Sequence, residues 1–165
     1  MKISIHQPAY LPWLGYIEKL KNSDVFVFLD TVQYEKNYYD NRNQILLNGK
    51  DHWLTIPIDT AGKLNQIYLK TKPSSSTWIV THKQTIGQAY GKSKNFDVYY
   101  PELENLYNDF FFDFLKSVTT EELSLSEYCW KMLQFLIPIF DIQTKIYRAS
   151  EFKFRGKGTN LILDI

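Results

Sequence analysis

Two prolines set between two apolar stretches constrain this chain more than any other feature. Residues 2–6 read as a short strand ending at His6. The segment that follows, Gln7-Pro8-Ala9-Tyr10-Leu11-Pro12, cannot be helical, because each proline fixes its own backbone and pushes its predecessor out of the helical region. Residues 13–21 then carry Leu14, Ile17 and Leu20 on one stripe, which predicts a short helix with Pro12 near its first turn, and Asn22-Ser23-Asp24 ends it. Val25-Phe26-Val27-Phe28-Leu29 is continuously apolar, the pattern of a strand covered on both faces. The chain therefore opens as β-loop-α-β, a unit whose strands are expected to pair in parallel through a right-handed crossover.

Residues 30–43 are polar and aromatic with no period and read as a loop. Residues 44–47 and 51–58 flank Asn48-Gly49, a pair able to supply the two positive-φ positions of a tight turn, so a hairpin is inserted here. Residues 66–70 read as a further strand. Pro73-Ser74-Ser75-Ser76 opens a helix that runs to Tyr90 and stops near Gly91. Residues 101–115 read as helix, and Ser124 with Glu127 forms a capping box for a helix over 125–140, with Pro138 in its last turns. A late strand is expected over 145–148 and an ordered helical segment over 159–165. The whole reads as one α/β domain over residues 1–165: a Rossmann-like start, a hairpin insertion and a helical C-terminal half. The run Leu161-Ile162-Leu163-Asp164-Ile165 has the pattern of an element's opening rather than its close, so the complete gene is expected to continue.

Composition narrows the function classes. The chain has 165 residues, 44% apolar and 22% charged, which is globular. A net charge of +1 offers no field for non-specific nucleic-acid binding, and no nucleic-acid partner is expected. No apolar run approaches the ~18 residues that span a bilayer, and the start is too soon polar for a signal peptide, so a cytoplasmic location is expected. The single cysteine, Cys129, excludes an internal disulfide and a multi-cysteine zinc site, and no metal ligands are assigned. Aromatics reach 16%, enough either for a ring-built core or for an aromatic-walled pocket. There are 16 lysines but only 3 arginines, so each arginine is a candidate for a role that demands a planar fork.

Three places could carry chemistry. His6 ends the first strand beside Gln7, Tyr10 and Trp13, at the sheet edge where open α/β folds bind ligands and next to a helix N-terminus. The loop containing Asp30, Gln33 and Tyr34 and ending in Asn41-Arg42-Asn43 begins at the same edge, and Arg42 between two asparagines could clamp a carboxylate or phosphate. His82 shares a helix face with Trp78 and Ile86 and, with Lys83, could pair a base with an anion partner. His52, beside Trp53 in a strand, reads as structural. Lys153, Arg155 and Lys157 around two glycines read as a solvated loop, with anion binding the alternative. No phosphate-loop, dinucleotide-fold glycine, HExxH, Gly-x-Ser-x-Gly or kinase motif is present.

The strand-loop-helix start resembles the nucleotidylyltransferase superfamily, whose paired histidines hold a triphosphate; here Tyr16 stands where the second histidine would be. A closer resemblance, over nearly the whole chain, is to the WbqC-like family. It is carried by His6-Gln7-Pro8, Tyr10-Leu11-Pro12-Trp13-Leu14-Gly15-Tyr16, Val32-Gln33-Tyr34, Asn41-Arg42-Asn43, Trp53-Leu54-Thr55-Ile56-Pro57, and Trp78 with His82 and Tyr90. Family members usually continue past this point. The resemblance implies a role in surface polysaccharide (O-antigen) biosynthesis, with transfer of glycine to a sugar proposed for some members. The expectation that follows is a transferase acting on a nucleotide-linked or lipid-linked sugar. His6 would be the base, and Asp30 would orient it. Arg42 with Asn41 and Asn43 would grip an anion, and Trp13 with Tyr10 would form the sugar platform. The alternatives are nucleotidylyl transfer with Mg2+ and a nucleoside triphosphate, and a non-catalytic glycan- or partner-binding module. No cofactor is assigned outside the nucleotidylyl reading.

Overall fold

A computed structural model describes residues 1–36, 38–60, 66–116, 123–156 and 158–165. Strand β1 (Ile3–His6) leads through the double-proline loop to helix α1 (Leu14–Lys21) and strand β2 (Val25–Phe28). The hairpin β3 (Arg42–Leu47) and β4 (Lys50–Thr55) follows, then helices α2 (Thr77–Tyr90), α3 (Phe96–Lys116) and α4 (Leu125–Ile139), strand β5 (Lys145–Arg148) and helix α5 (Thr159–Asp164). β1, β2 and β5 form a parallel sheet in the order β1-β2-β5, and β3-β4 is a separate antiparallel pair. In register, His6 lies opposite Phe28 and Phe28 opposite Arg148, so the three strands end level.

The central place of β2 explains its unbroken apolar run. Phe26 and Phe28 point into a core shared with Tyr16, Ile17 and Leu20 of α1 and with Met132 and Leu133 of α4. Val27 and Leu29 point the other way, into a second cluster with Ala149 and Leu161. A strand buried on both faces has no polar position to alternate with.

The hairpin turns through Asn48 (φ 51°) and Gly49 (φ 74°), both in the left-handed region that a two-residue turn requires. β4 stops at Thr55, short of the expected residue 58, and Ile58 instead makes a single antiparallel bridge to Pro73. The strand expected over 66–70 is also replaced. Ile67 makes one bridge to Gln33, and Tyr68–Lys70 is a 3-10 turn. Its cause is tertiary: the fully buried Tyr68 donates its hydroxyl hydrogen bond to Asp40 Oδ2 at 2.5 Å, and the Thr71 hydroxyl donates to the Ile67 carbonyl. α3 begins five residues before Pro101, which lies inside it, while Phe96 stacks on Tyr100 with ring centroids 4.3 Å apart. α4 is capped as expected, with the Ser124 side chain accepting from the Glu127 amide, and it ends one residue after Pro138.

Leu11, between Tyr10 and Pro12, has φ 48°, a strained value for a side chain of its size. It is held there from the hairpin and the segment just before it: the Asn43 side-chain amide donates to the Leu11 carbonyl, and the Tyr10 amide donates to the Asp40 carbonyl at 3.0 Å.

Candidate functional site

The three parallel strands deliver their following segments to one edge, and a cleft of about 910 Å3 opens there. Gln7 enters from the turn after β1, Thr31, Gln33 and Glu35 from the segment after β2, and Lys153 and Phe154 from the segment after β5. Val32, Ile67, Phe152, Gly156, Gly158 and Leu161 complete the lining. Gly156 is required by packing, since a Cβ there would meet the backbone of Asn160 at 2.5 Å. Glu35 is the one carboxylate and Lys153 the one cation among the residues that line the cleft. The volume suits a nucleotide-sized ligand, and hydrogen-bonding groups of both kinds stand on an otherwise apolar lining.

Residues 31–36 separate two cavities. Thr31, Val32, Gln33 and Glu35 line the cleft, whereas Tyr34 and Lys36 line a second pocket of about 190 Å3 with Asn41, Arg42 and Pro57. In this smaller pocket Asn41 donates its side-chain amide to the Ile56 carbonyl at 2.7 Å, and its buried Oδ1 has no hydrogen-bond partner among the described residues. Arg42 lays its guanidinium 4.3 Å from the centre of the Trp53 ring. The Tyr34 hydroxyl is pushed up to about 12, chiefly by burial and further by the Asp40 charge, with Arg42 opposing.

The residues singled out from sequence are thus divided rather than gathered. Gln7 and Gln33 stand in the cleft. Tyr34, Asn41 and Arg42 stand in the smaller pocket. Asn43 is a structural clamp on the double-proline loop.

The strands ending at His6 and Asp30 are adjacent and parallel, yet Asp30 does not serve His6. Its buried carboxylate accepts from Arg148 Nε at 3.0 Å, from the Ser150 amide at 2.9 Å and from the Ser150 hydroxyl at 2.7 Å. Arg148 also donates to Glu127 and lies over Trp130. Burial works against its charge, but the two carboxylates outweigh burial and hold its pKa above the ordinary value. Asp30 and Arg148 therefore tie the ends of β2 and β5 to α4.

His6 is half-buried beside the cleft rather than on its wall. Its Nδ1 lies 3.0 Å from the Gln7 carbonyl, and its ring packs on Trp13 and Tyr16 at 5.4 and 4.7 Å. Burial lowers its pKa, so the ring is neutral at pH 7, and donation from Nδ1 leaves Nε2 as the acceptor.

Tyr10 is fully buried and cannot be a sugar platform, whereas Trp13 is 39% exposed and can. Tyr10, Tyr107 and His82 instead make a polar chain inside the core. Tyr10 Oη is 2.8 Å from His82 Nδ1 and also bonds the Tyr107 hydroxyl. Burial lowers the His82 pKa to about 4, against an opposing hydrogen bond to the Thr55 backbone. A neutral imidazole has one N–H and one acceptor nitrogen, so the ring can join this run of hydrogen bonds without carrying a charge. His82 is a satisfied core histidine, 4% exposed, and lines neither pocket.

Tyr16, at the position of the second nucleotidylyltransferase histidine, is also in the core, with a hydroxyl that finds no partner among the described residues. It cannot hold a phosphate.

Sequence reasoning passed over Glu35, and it read Lys153 as solvated. The spacing of apolar residues gave no signal for either, because both sit in irregular segments. Arg148 was within reach, since scarcity of arginine had marked all three.

The fold is mixed α/β, with a cleft at the carboxyl edge of its parallel sheet. Comparison with known families makes this specific: the chain belongs to the WbqC-like protein family, whose model matches residues 7–165. An uncharacterized Mycobacterium tuberculosis protein, Rv1507c, is 30% identical over 95 residues, 58% of this chain and 41% of the relative. The matched segment thus spans less than half the length of that relative. No solved structure matches the chain. No helix among the described residues is long and apolar enough to cross a membrane.

Proposed function

We propose that this protein is a transferase of surface-polysaccharide biosynthesis that binds an activated sugar in the carboxyl-edge cleft and adds an acyl group, such as a glycyl residue, to it. The observation that carries the reading is that one carboxylate, Glu35, and one cation, Lys153, line the same cleft together with Gln7 and Gln33. Lys153 is suited to a phosphate of the sugar carrier, and the two glutamines to sugar hydroxyls. In this reading Glu35 takes the proton from a sugar amine or hydroxyl as that group attacks the carbonyl carbon of an activated aminoacyl donor. The donor's leaving group departs with the electron pair. The base role moves to Glu35 because it lines the cleft, whereas His6 stands behind Gln7.

The reading is tested by titrating the purified protein with nucleotide-diphosphate sugars and with ATP or CTP plus Mg2+. A nucleotide sugar is expected to bind and raise the melting temperature. Lys153→Ala should weaken that binding by about 1.5–3 kcal/mol, the scale of a hydrogen bond to a charged group. Glu35→Gln should preserve binding and remove acyl transfer followed by mass spectrometry. Nucleotide-sugar binding indifferent to Lys153→Ala would refute the cleft assignment. Stabilisation by a triphosphate with Mg2+ alone would favour nucleotidylyl transfer, and binding without turnover would favour a binding module.

A further inference from the structure

Outside the cleft, an exposed row of rings runs along the outer surface. Trp13 stands at the N-cap of α1, 5.7 Å from Tyr39, which lies 5.6 Å from Trp53 of β4. These rings are 39%, 42% and 39% exposed. Arg42 closes the far end by stacking on Trp53, and the exposed Gln44 lies directly across the hairpin from Trp53. At the near end His6 packs against Trp13, and its neighbour Gln7 lines the cleft. The near end of the row is thus one residue along the chain from the cleft lining.

The row is built rather than incidental. The Trp13 indole lies over Gly15, where an added Cβ would stand 3.0 Å from Nε1, so glycine at that helical position admits the ring. Large rings grouped on a surface mark an interaction site more often than scattered ones do. Each ring carries an N–H or O–H at its edge, and Arg42 and Gln44 add donors beside them.

We propose that this row is a binding track for a carbohydrate chain whose end enters the cleft, a proposal that rests on the sugar reading of the cleft for its substrate class. A pyranose presents a flat C–H face and a rim of hydroxyls, which match an aromatic face with polar edges. The step from ring to ring is about the advance of one sugar unit. Single-stranded nucleic acid also stacks on rings but needs a groove of cations along its phosphates. In the row the one cation is Arg42, its guanidinium 4.3 Å from the centre of the Trp53 ring.

The test uses tryptophan fluorescence and isothermal titration of the whole protein with chitohexaose, cellohexaose and delipidated bacterial O-polysaccharide, beside the matching monosaccharides. At least one chain is expected to bind, and more tightly than its monosaccharide. Trp13→Ala and Trp53→Ala should each weaken it by about tenfold, with melting temperatures confirming the fold. The Trp53→Ala variant should still bind a nucleotide sugar in the cleft. Absence of binding by all three chains, or binding unchanged in the Trp13→Ala/Trp53→Ala double variant, overturns the track. So does a concentration-dependent dimer in sedimentation that Trp53→Ala abolishes, since the row would then serve a second copy. Chain binding that persists while no nucleotide sugar binds would keep the track and sink the cleft reading.

Discussion

Two buried groups with opposite perturbations make the acid stability of this protein a composite that mutation can separate. Asp40 is 5% exposed, and burial raises its pKa from 3.8 to about 6, although the Tyr68 hydroxyl and the Glu35 backbone stabilise its charge. His82 is 4% exposed, and burial lowers its pKa from 6.5 to about 4. For Asp40 the folded protein holds a proton that the unfolded chain has already released. Stability from this group therefore falls as pH rises from 3.8 to 6, by about 3 kcal/mol at 1.36 kcal/mol per unit. For His82 the unfolded chain holds the extra proton, so stability rises with pH between 4 and 6.5, again by about 3 kcal/mol. Between pH 4 and 6 the two slopes, each about 1.4 kcal/mol per pH unit, cancel. Asp40→Asn keeps an acceptor for Tyr68 and removes one slope. Its stability, measured by urea unfolding, should rise with pH relative to wild type by about 1.4 kcal/mol per unit over this window. His82→Gln should show the reverse, with stability falling by a similar slope relative to wild type. Identical pH slopes in wild type and both variants would show that neither group titrates abnormally, and the burial argument would fail.

Arg148→Ala leaves the buried Asp30 carboxylate without its guanidinium and should lower stability by about 3–5 kcal/mol, while Arg148→Lys recovers only part because it cannot fork between Asp30 and Glu127. Thermal and urea unfolding measure both, and an Arg148→Ala protein as stable as wild type would refute the clamp. Tyr10→Phe removes the hydroxyl that bonds both His82 Nδ1 and the Tyr107 hydroxyl. It should cost about 1–3 kcal/mol with sugar binding unchanged, so a selective loss of binding would return Tyr10 to the site.

Much of the fold was legible because it rests on local signals. The double-proline loop, the unbroken run of β2, the Asn48-Gly49 turn and the Ser124 cap each act within a few residues, and each is present as expected. The strand expected over 66–70 was not legible, because what turns Tyr68 into a 3-10 segment is Asp40, twenty-eight residues away. The site was less legible for the same reason. His6 and Asp30 do end adjacent strands, but which side chain meets which is decided by Arg148 and Ser150, more than a hundred residues later. Tyr10 and His82 are chemically versatile residues, and nothing in their neighbours says that they satisfy each other in the core.

The wall at residues 31–36 has a consequence for how this family can vary. From Gln33 to Lys36 the side chains alternate between cavities, Gln33 and Glu35 belonging to the larger, Tyr34 and Lys36 to the smaller. An extended segment has a side-chain period of two, so a slip of one position exchanges its faces. A single-residue insertion ahead of Gln33 would thus move the carboxylate out of the cleft and an aromatic ring into it, rewriting two linings with one codon. Point substitutions here can tune either cavity alone, whereas length changes alter both together.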